Sequence, residues 1–170
     1  MKGREGRHVM SALETVFKLV KEWQPESLPT ETKYRDSLVG FLRARIKDAK
    51  VETEYRHSGT TADIYVKQPG FFGSSEVFVE LKRHLIQKAQ LDRLIGQIHG
   101  LQPKKNKIIV VLCGDTNPAW VNRFKELFAQ ELNSLFSDAP VQMGLIVKEP
   151  AKSATTPAAQ VSESKRKVQW

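Results

Sequence analysis

Three charged residues, Asp63, Glu80 and Lys82, form the part of this sequence best suited to chemistry. They lie in two segments rich in β-branched and aromatic residues, ADIYVK and EVFVELK, which are separated by QPGFFGSS. The proline and glycines of the separating segment are typical of a turn, so the sequence predicts a β-hairpin with an eight-residue loop. All three charges then belong to the strands of one hairpin.

The register of this hairpin decides whether the charges meet. If the hairpin is symmetric about its loop, Tyr65 faces Phe78 and Asp63 faces Glu80. Directly opposed residues project from the same face of a sheet, and so do residues two apart on one strand. We therefore expect Asp63, Glu80 and Lys82 to converge on one side, with a one-residue slip disfavoured because it would bury them. Five apolar residues are predicted to supply the core on the other side: Ile64, Val66, Val77, Val79 and Leu81.

Two carboxylates beside a lysine are a set of groups that can assist hydrolysis. Carboxylate oxygens are hard ligands that suit Mg²⁺ or Mn²⁺, and Mg²⁺ is commonly held by one or two carboxylates together with water and phosphate. The lysine could orient or deprotonate an attacking water, or stabilise charge that develops on a phosphate. A short string of this kind is also common on a solvated protein face, so other elements have to support the catalytic interpretation.

The spacing of these residues resembles the PD-(D/E)XK, or restriction-endonuclease-like, nuclease superfamily. Asp63 is followed, on the second strand of the hairpin, by Glu80-Leu81-Lys82, and Ala62 stands where the family name has a proline. The resemblance implies that Asp63, Glu80 and the backbone carbonyl of Leu81 bind Mg²⁺ or Mn²⁺. It also implies that Lys82 helps to activate water and that the products carry a 5′-phosphate and a 3′-hydroxyl.

The resemblance implies a further acid on the helix before the hairpin, for which Glu31 and Asp36 are the candidates. At 100° per residue, Glu31 lies in line with Leu38 and Leu42, whereas Asp36 is turned well over 90° away from that line. Glu31 is therefore the better candidate. A second interpretation stays open, because a carboxylate at a helix N-terminus is also stabilised by the helix dipole.

A glutamine on the helix after the hairpin is also typical of relatives in the superfamily. The segment RHLIQKAQLDRLIGQIHGL is predicted to be this helix, with Arg93 and Gln97 along one flank. The resemblance implies that Gln97 positions the water or a phosphate oxygen. Gly96 and Gly100 lower the helix propensity, which predicts close packing against the sheet or another chain.

The predicted order of elements is helix, helix, three antiparallel strands, helix, strand, helix and strand. The apolar run KIIVVLCG should be a strand covered on both faces and parallel to the Glu80 strand, because the intervening helix makes a right-handed crossover. This is an α/β fold with a mixed central sheet flanked by helices, and its αβββαβ core matches the restriction-endonuclease-like fold. Outside the hairpin, the predicted bounds are 8–23, 30–49, 51–57, 83–101, 107–114, 117–136 and 141–148.

Three regions are predicted along the chain. Residues 1–29 form an N-terminal helix and connector, and residues 30–148 form the nuclease-like domain. Residues 149–170 are rich in Ala, Ser, Thr and Pro without apolar periodicity, which predicts a disordered basic tail. The basic cluster and Trp170 in this tail could contact a partner protein, although a solubilising role is the simpler interpretation.

The composition favours a polyanionic partner. The chain of 170 residues carries a net charge of +8, which is typical of proteins that bind nucleic acid and less specifically of those that bind acidic membranes. Cys113 lies in an apolar run, which predicts a buried thiol and no disulfide framework. No run reaches membrane-spanning length, so we expect no membrane partner and a cytoplasmic location. The residues predicted to contact phosphates are Arg83, His84, Lys88, Arg93, Lys104, Lys105 and Lys107.

These expectations combine into a metal-dependent nuclease that hydrolyses DNA phosphodiester bonds, with internal cutting preferred. A homodimer is a candidate assembly, because two copies are common where two strands are cut. Two alternatives come from other classes of protein. One is a nuclease-like fold that binds DNA or assembles with it without cutting, and the other is a domain whose basic surface meets an acidic protein.

Overall fold

A computed structural model describes residues 10–57, 59–70, 73–102 and 106–149 as one five-stranded sheet with helices on both faces. The predicted contacts Lys104 and Lys105 lie outside the described residues, as does all of the predicted tail except Glu149. The helices are α1 (Ala12–Glu22), α2 (Glu31–Arg45), α3 (Lys88–Leu101), α4 (Pro118–Leu127) and α5 (Ala129–Asn133). The strands are β1 (Lys50–His57), β2 (Thr60–Gly70), β3 (Gly73–Arg83), β4 (Lys107–Cys113) and β5 (Gln142–Lys148).

The sheet is mixed, and its strands lie in chain order. Strands β1, β2 and β3 pair antiparallel, whereas β3 with β4 and β4 with β5 pair parallel. Every residue of β4 after its first is buried, because helices cover both faces of the sheet at this central strand. The predicted α/β class, the mixed sheet and the strand directions are thereby confirmed.

The hairpin of β2 and β3 has the predicted register, with Tyr65 opposite Phe78. Its loop is much shorter than predicted, since pairing continues to Gly70 and Gly73. These glycines permit the close turn: Gly73 has a φ of +124°, and a Cβ at Gly70 would lie 2.8 Å from the Gly73 carbonyl oxygen. At the other end the ladder stops at Ile64 and Val79, so the predicted direct pair of Asp63 and Glu80 does not form.

The sheet separates two hydrophobic clusters. The five apolar hairpin residues predicted to share a face all belong to the cluster that contains the apolar sides of α1 and α2. Tyr65 and Phe78 belong to the opposite cluster, together with residues of α3 and α4. Burial of one such aliphatic side chain stabilises a fold by about 1.5–3 kcal/mol. Glu80 and Lys82 alternate along β3 with residues of the first cluster, so they lie on the opposite face, which α3 covers. Both are buried there in the predicted register, whereas burial was expected only after a one-residue slip.

The N-terminal caps of three helices follow from the sequence. Ser11 and Glu14 form a reciprocal capping box at α1, Thr30 accepts a hydrogen bond from the Lys33 N–H at α2, and Asn117 accepts one from the Ala119 N–H at α4. Helix α2 ends at Arg45, four residues before its predicted end. Among the described residues, no helix combines the length and the hydropathy needed to cross a membrane.

The helices before and after β4 also differ from the prediction at their bounds. The helix after β3 begins at Lys88 and not at Arg83, because Arg83 still pairs with Cys113 and His84 takes a φ of +55°. A glutamine capping box then starts α3. The helix predicted to reach residue 136 is broken at Phe128, whose φ of −112° and ψ of 26° lie outside the helical region.

Gly96 and Gly100 of α3 supply a matched pair of substitutions. A Cβ at Gly100 would collide with the side chain of Thr60 on β2, and the collision includes the Thr60 Cβ atom, which a rotamer change cannot move away. A Cβ at Gly96 would meet nothing within 4 Å. We expect Gly100→Ala to lower the free energy of unfolding by about 1–3 kcal/mol.

Gly96→Ala should instead raise the free energy of unfolding by about 0.5–1 kcal/mol, because alanine restricts the unfolded chain and favours the helix. Urea denaturation of the three proteins measures both effects. Equal behaviour of the two variants would contradict the packing of α3 on β2.

Candidate active site

The candidate site lies at the carboxyl end of β3, where the sheet meets the first turns of α2 and α3. A cleft of about 470 Å³ opens there. Basic and polar side chains dominate it, as a site for an anionic ligand requires. The residues that line the cleft are Glu31, Lys82, Arg83, Ala89, Gln90 and Arg93.

Lys82 is held by Glu31 at the edge of this cleft. Its Nζ atom lies 3.1 Å from Glu31 Oε2, and the same Oε2 accepts a hydrogen bond of 2.9 Å from the Arg83 N–H. Lys82 is only 8% exposed, so its ammonium group is fixed in one position. Of the two acids considered on this helix, the structure brings Glu31 to Lys82, whereas Asp36 pairs with Arg35 on the exposed side. Glu31 therefore does more than interact with the dipole at the start of its helix, because it binds both Lys82 and the Arg83 N–H.

Asp63 and Glu80 are the two carboxylates next to Lys82. Asp63 Oδ2 accepts a hydrogen bond of 2.8 Å from the Leu81 N–H, which bridges the two strands where their regular ladder has ended. Glu80 is 1% exposed, and its Oε2 atom is buried without a hydrogen-bond partner among the described residues. A buried carboxylate oxygen without a donor is costly, and such atoms in native proteins often face an unfilled ligand position.

The electrostatics of the pair follow from burial and proximity. The pKa of Glu80 is raised to about 9, mainly by burial and also by the negative charges of Asp63 and Glu31, whereas a hydrogen bond from the Asp63 backbone N–H and the charge of Lys82 oppose this rise. Burial also raises the pKa of Asp63, which the Leu81 N–H and the positive charge of Lys82 partly offset. Both carboxyl groups therefore lack sufficient compensating positive charge.

A divalent cation fits this donor set in some respects. Carboxylate oxygens are the ligands that Mg²⁺ and Mn²⁺ prefer, and the unpartnered Glu80 Oε2 and the raised pKa values are what a missing cation would leave behind. No group of three or more His, Cys, Asp and Glu side chains among the described residues is arranged to hold a metal ion. Any metal here would therefore have two carboxylates at most, with water, backbone and substrate oxygens completing its coordination.

No family model, curated protein or solved structure matches this chain. The contacts of the site are therefore what supports a function. They comprise a half-buried and a buried carboxylate next to each other, a lysine held by a third carboxylate, and a cleft lined by two arginines.

Arg35 is a residue of this site that the sequence reasoning missed. Its guanidinium donates to Glu54 at 2.8 Å, and its positive charge lowers the pKa of Asp63. Glu54 has a φ of +53° and lies opposite Asp63, and these two residues form the one position at which the pairing of β1 with β2 is interrupted. Arg35 lies off the apolar stripe of α2, so helical periodicity could not connect it with the hairpin. The ion pair with Arg35 accounts for the position of the Glu54 carboxylate.

Gln97 lies one helical turn beyond Arg93 on the same flank of α3. It does not line the cleft, which ends at Arg93. Its Oε1 atom is buried and has no hydrogen-bond partner among the described residues. The predicted role of Gln97 in positioning water or phosphate stays a prediction.

The predicted phosphate contacts divide into two locations. Arg83 and Arg93 line the cleft, and Lys88 on the first turn of α3 forms a 2.6 Å ion pair with Asp92. The Nδ1 atom of His84 accepts a hydrogen bond from the Asp115 N–H, so this ring nitrogen is occupied. Lys107 is at the opposite end of β4, about 16 Å along the strand from Lys82, where its Nζ contacts Ser75. Lys107 therefore does not join the others at the cleft.

Proposed function

We propose that this chain is a metal-dependent nuclease of the PD-(D/E)XK type that hydrolyses phosphodiester bonds within DNA. The observation that carries the proposal is the contact of Lys82 with Glu31 beside the half-buried carboxylate of Asp63 and the buried carboxylate of Glu80. Helix, three antiparallel strands, helix and parallel strand occur in the order that the restriction-endonuclease-like core requires. The net charge of +8 favours a polyanionic substrate.

In this proposal each residue of the site has one role. Asp63, Glu80 and the Leu81 carbonyl would hold Mg²⁺ or Mn²⁺, which when bound lowers the pKa of water and offsets negative charge on the phosphate. Lys82 orients the attacking water and stabilises the charge that develops on the phosphate oxygens. Glu31 positions Lys82. Water adds to phosphorus, the bond from phosphorus to O3′ breaks, and O3′ takes up a proton.

Two cleft arginines supply the contacts to the DNA backbone. Arg83 is fixed by a hydrogen bond of 3.1 Å from its Nε to the Leu28 carbonyl, and Arg93 projects from the exposed side of α3. Their contacts would position the strand without reading its sequence. A homodimer would bring two such clefts to opposite strands, and a protein partner could contact the tail; both remain proposals.

The alternative is a nuclease-like fold that binds DNA without cutting it. One observation favours this alternative: the described residues contain no group of three or more acids, histidines or cysteines suited to a metal. Such a protein would bind DNA equally well with or without Asp63. In such a protein, the free-energy cost of burying the Glu80 carboxyl group would serve no function.

The proposal is tested by incubating the protein with supercoiled and linear plasmid in the presence of Mn²⁺, Mg²⁺ or EDTA. We expect metal-dependent nicking that the Asp63→Ala variant lacks, and the products distinguish internal cutting from cutting at ends. Absence of cleavage on plasmid, single-stranded and branched DNA, with DNA binding retained, would instead support the silent fold.

A further inference from the structure

An exposed isoleucine stands beside the cleft on the connector between β3 and α3. Ile86 is 47% exposed, which is unusual for a large apolar side chain in the described part of this protein. A single exposed apolar side chain on a protein surface is ordinary by itself. Ile86 differs because its backbone N–H is bonded to Gln90, a residue that lines the cleft.

The connector is fixed by hydrogen bonds on both sides of Ile86. The Ile86 N–H donates to Gln90 Oε1 at 2.9 Å, and the Ile86 carbonyl accepts a bond of 3.2 Å from Nε1 of Trp120. The preceding Leu85 carbonyl accepts a bond of 2.8 Å from the Asn117 N–H. Hydrogen bonds from the start of α4 thus anchor the segment that presents Ile86, so its backbone loses little conformational entropy when a partner binds.

The position of Ile86 relates it to the cleft. Gln90, which accepts the Ile86 N–H, is itself a residue of the cleft lining. Arg83 and Arg93 line the same cleft and give it a positive charge that complements a phosphate backbone. Proteins hold single strands with phosphates on cations and bases on aromatic side chains, and aliphatic side chains, isoleucine included, also contact bases as apolar wedges.

We propose that Ile86, held by Trp120, contacts the base of an unpaired nucleotide adjacent to the phosphate in the cleft. A base stacked inside a regular duplex cannot offer its face to this side chain, whereas a base in a single strand, a flap or a mismatch can. The inference rests on the proposed nuclease function and narrows its substrate to DNA with unpaired nucleotides at the cleavage site.

The test measures binding without catalysis. Fluorescence anisotropy in EDTA gives the Kd of each protein for a perfect 20-base-pair duplex, for a single strand of the same sequence, and for the duplex with a single-stranded flap. Ile86→Ser removes the apolar contact and keeps the backbone bonds. Leu127→Ser is the matched control, because Leu127 is 45% exposed at the far end of α4.

We expect the wild-type protein and Leu127→Ser to bind the single-stranded and flap substrates more tightly than the duplex. Ile86→Ser should lose about 5- to 50-fold in affinity for those two substrates, with little change for the duplex, since one stacked base contributes on that scale. An unfolding temperature close to the wild type confirms that the variant is folded.

Equal losses on all three substrates, no loss, or no DNA binding by the wild type would each overturn the inference. The two proposals can fail separately. If the wild type cleaves DNA only with metal and Ile86→Ser binds all three substrates with wild-type affinity, only the role of Ile86 is rejected. Selective loss of binding in Ile86→Ser without any cleavage by the wild type supports the base contact and rejects the nuclease.

Discussion

Replacing Lys82 by alanine is expected to reduce plasmid cleavage by about 10²–10³-fold while DNA binding in EDTA stays close to that of the wild type. The ammonium group is fixed by Glu31 at 3.1 Å and is 8% exposed, so no other group can take its position without rearrangement. A charge that acts on the transition state affects the rate far more than it affects the affinity for the ground state. The initial rates of nicking with Mn²⁺ measure the effect.

A matched control is Lys18→Ala. Lys18 also belongs to a lysine–glutamate pair, with Glu22 on α1, but its side chain is 65% exposed and lies away from the cleft. This variant should cleave at the wild-type rate. A second variant, Lys82→Met, keeps the apolar stem without the charge and separates lost chemistry from lost packing. Wild-type cleavage by Lys82→Ala would reject the role of this lysine.

The second large effect concerns the stability of the metal-free protein. The folded protein raises the pKa of Glu80 to about 9, because this carboxyl is buried beside the charge of Asp63. The folded state therefore retains a proton that the unfolded state has lost above its ordinary pKa of 4.5. The stabilisation associated with protonated Glu80 is complete below about pH 4.5 and is lost as the pH rises through about 9.

Glu80→Gln should remove this loss, since an amide is neutral at every pH in that range. One proton of difference changes the free energy of unfolding by about 1.4 kcal/mol per pH unit. We therefore expect the advantage of Glu80→Gln over the wild type to grow by about 2.8 kcal/mol between pH 6 and pH 8. Urea denaturation at both pH values in EDTA measures this change, and parallel pH profiles of the two proteins would contradict the burial of an ionisable Glu80.

Adding Mn²⁺ should narrow the difference in the free energy of unfolding between the two proteins. An ion that binds only the folded state stabilises it by about 2.7 kcal/mol at a concentration of 100 times its Kd. The wild type should gain this stability at pH 8, while Glu80→Gln, which lacks one ligand, should gain little. A wild type that Mn²⁺ does not stabilise would argue against the metal site even if DNA binding is found.

The register of the hairpin and the position of Glu31 were predictable because each depends on a simple period. Alternation along two strands brings Tyr65 opposite Phe78, and a rotation of 100° per residue brings Glu31 to the apolar side of its helix. The same periods do not specify where the β2 and β3 ladder ends. The separation beyond Ile64 allows Asp63 to bind the Leu81 N–H, and it depends on Glu54 and Arg35 in other elements.

Other features depend on tertiary contacts that no local pattern contains. The apolar sequence around Leu85 and Ile86 continues a helical period, yet α3 begins later because β4 pairs with Arg83 and the His84 N–H donates to the Cys113 carbonyl. The burial of Glu80 arises from coverage by α3, and a charged residue on a strand gives no signal of being covered. Its pKa was therefore beyond what the sequence could indicate.

The contact between Glu31 and Lys82 joins residues that are 51 positions apart in the chain. Contacts of such separation form late in folding, and a local opening that lifts the first turn of α2 from β3 breaks them again. Each opening would release Lys82 and the Arg83 N–H together, because one carboxylate oxygen binds both. In the proposed nuclease, the share of molecules able to react at any moment is then the share in which the start of α2 is docked on β3. Partly folded chains that already contain the hairpin would be inactive for the same reason.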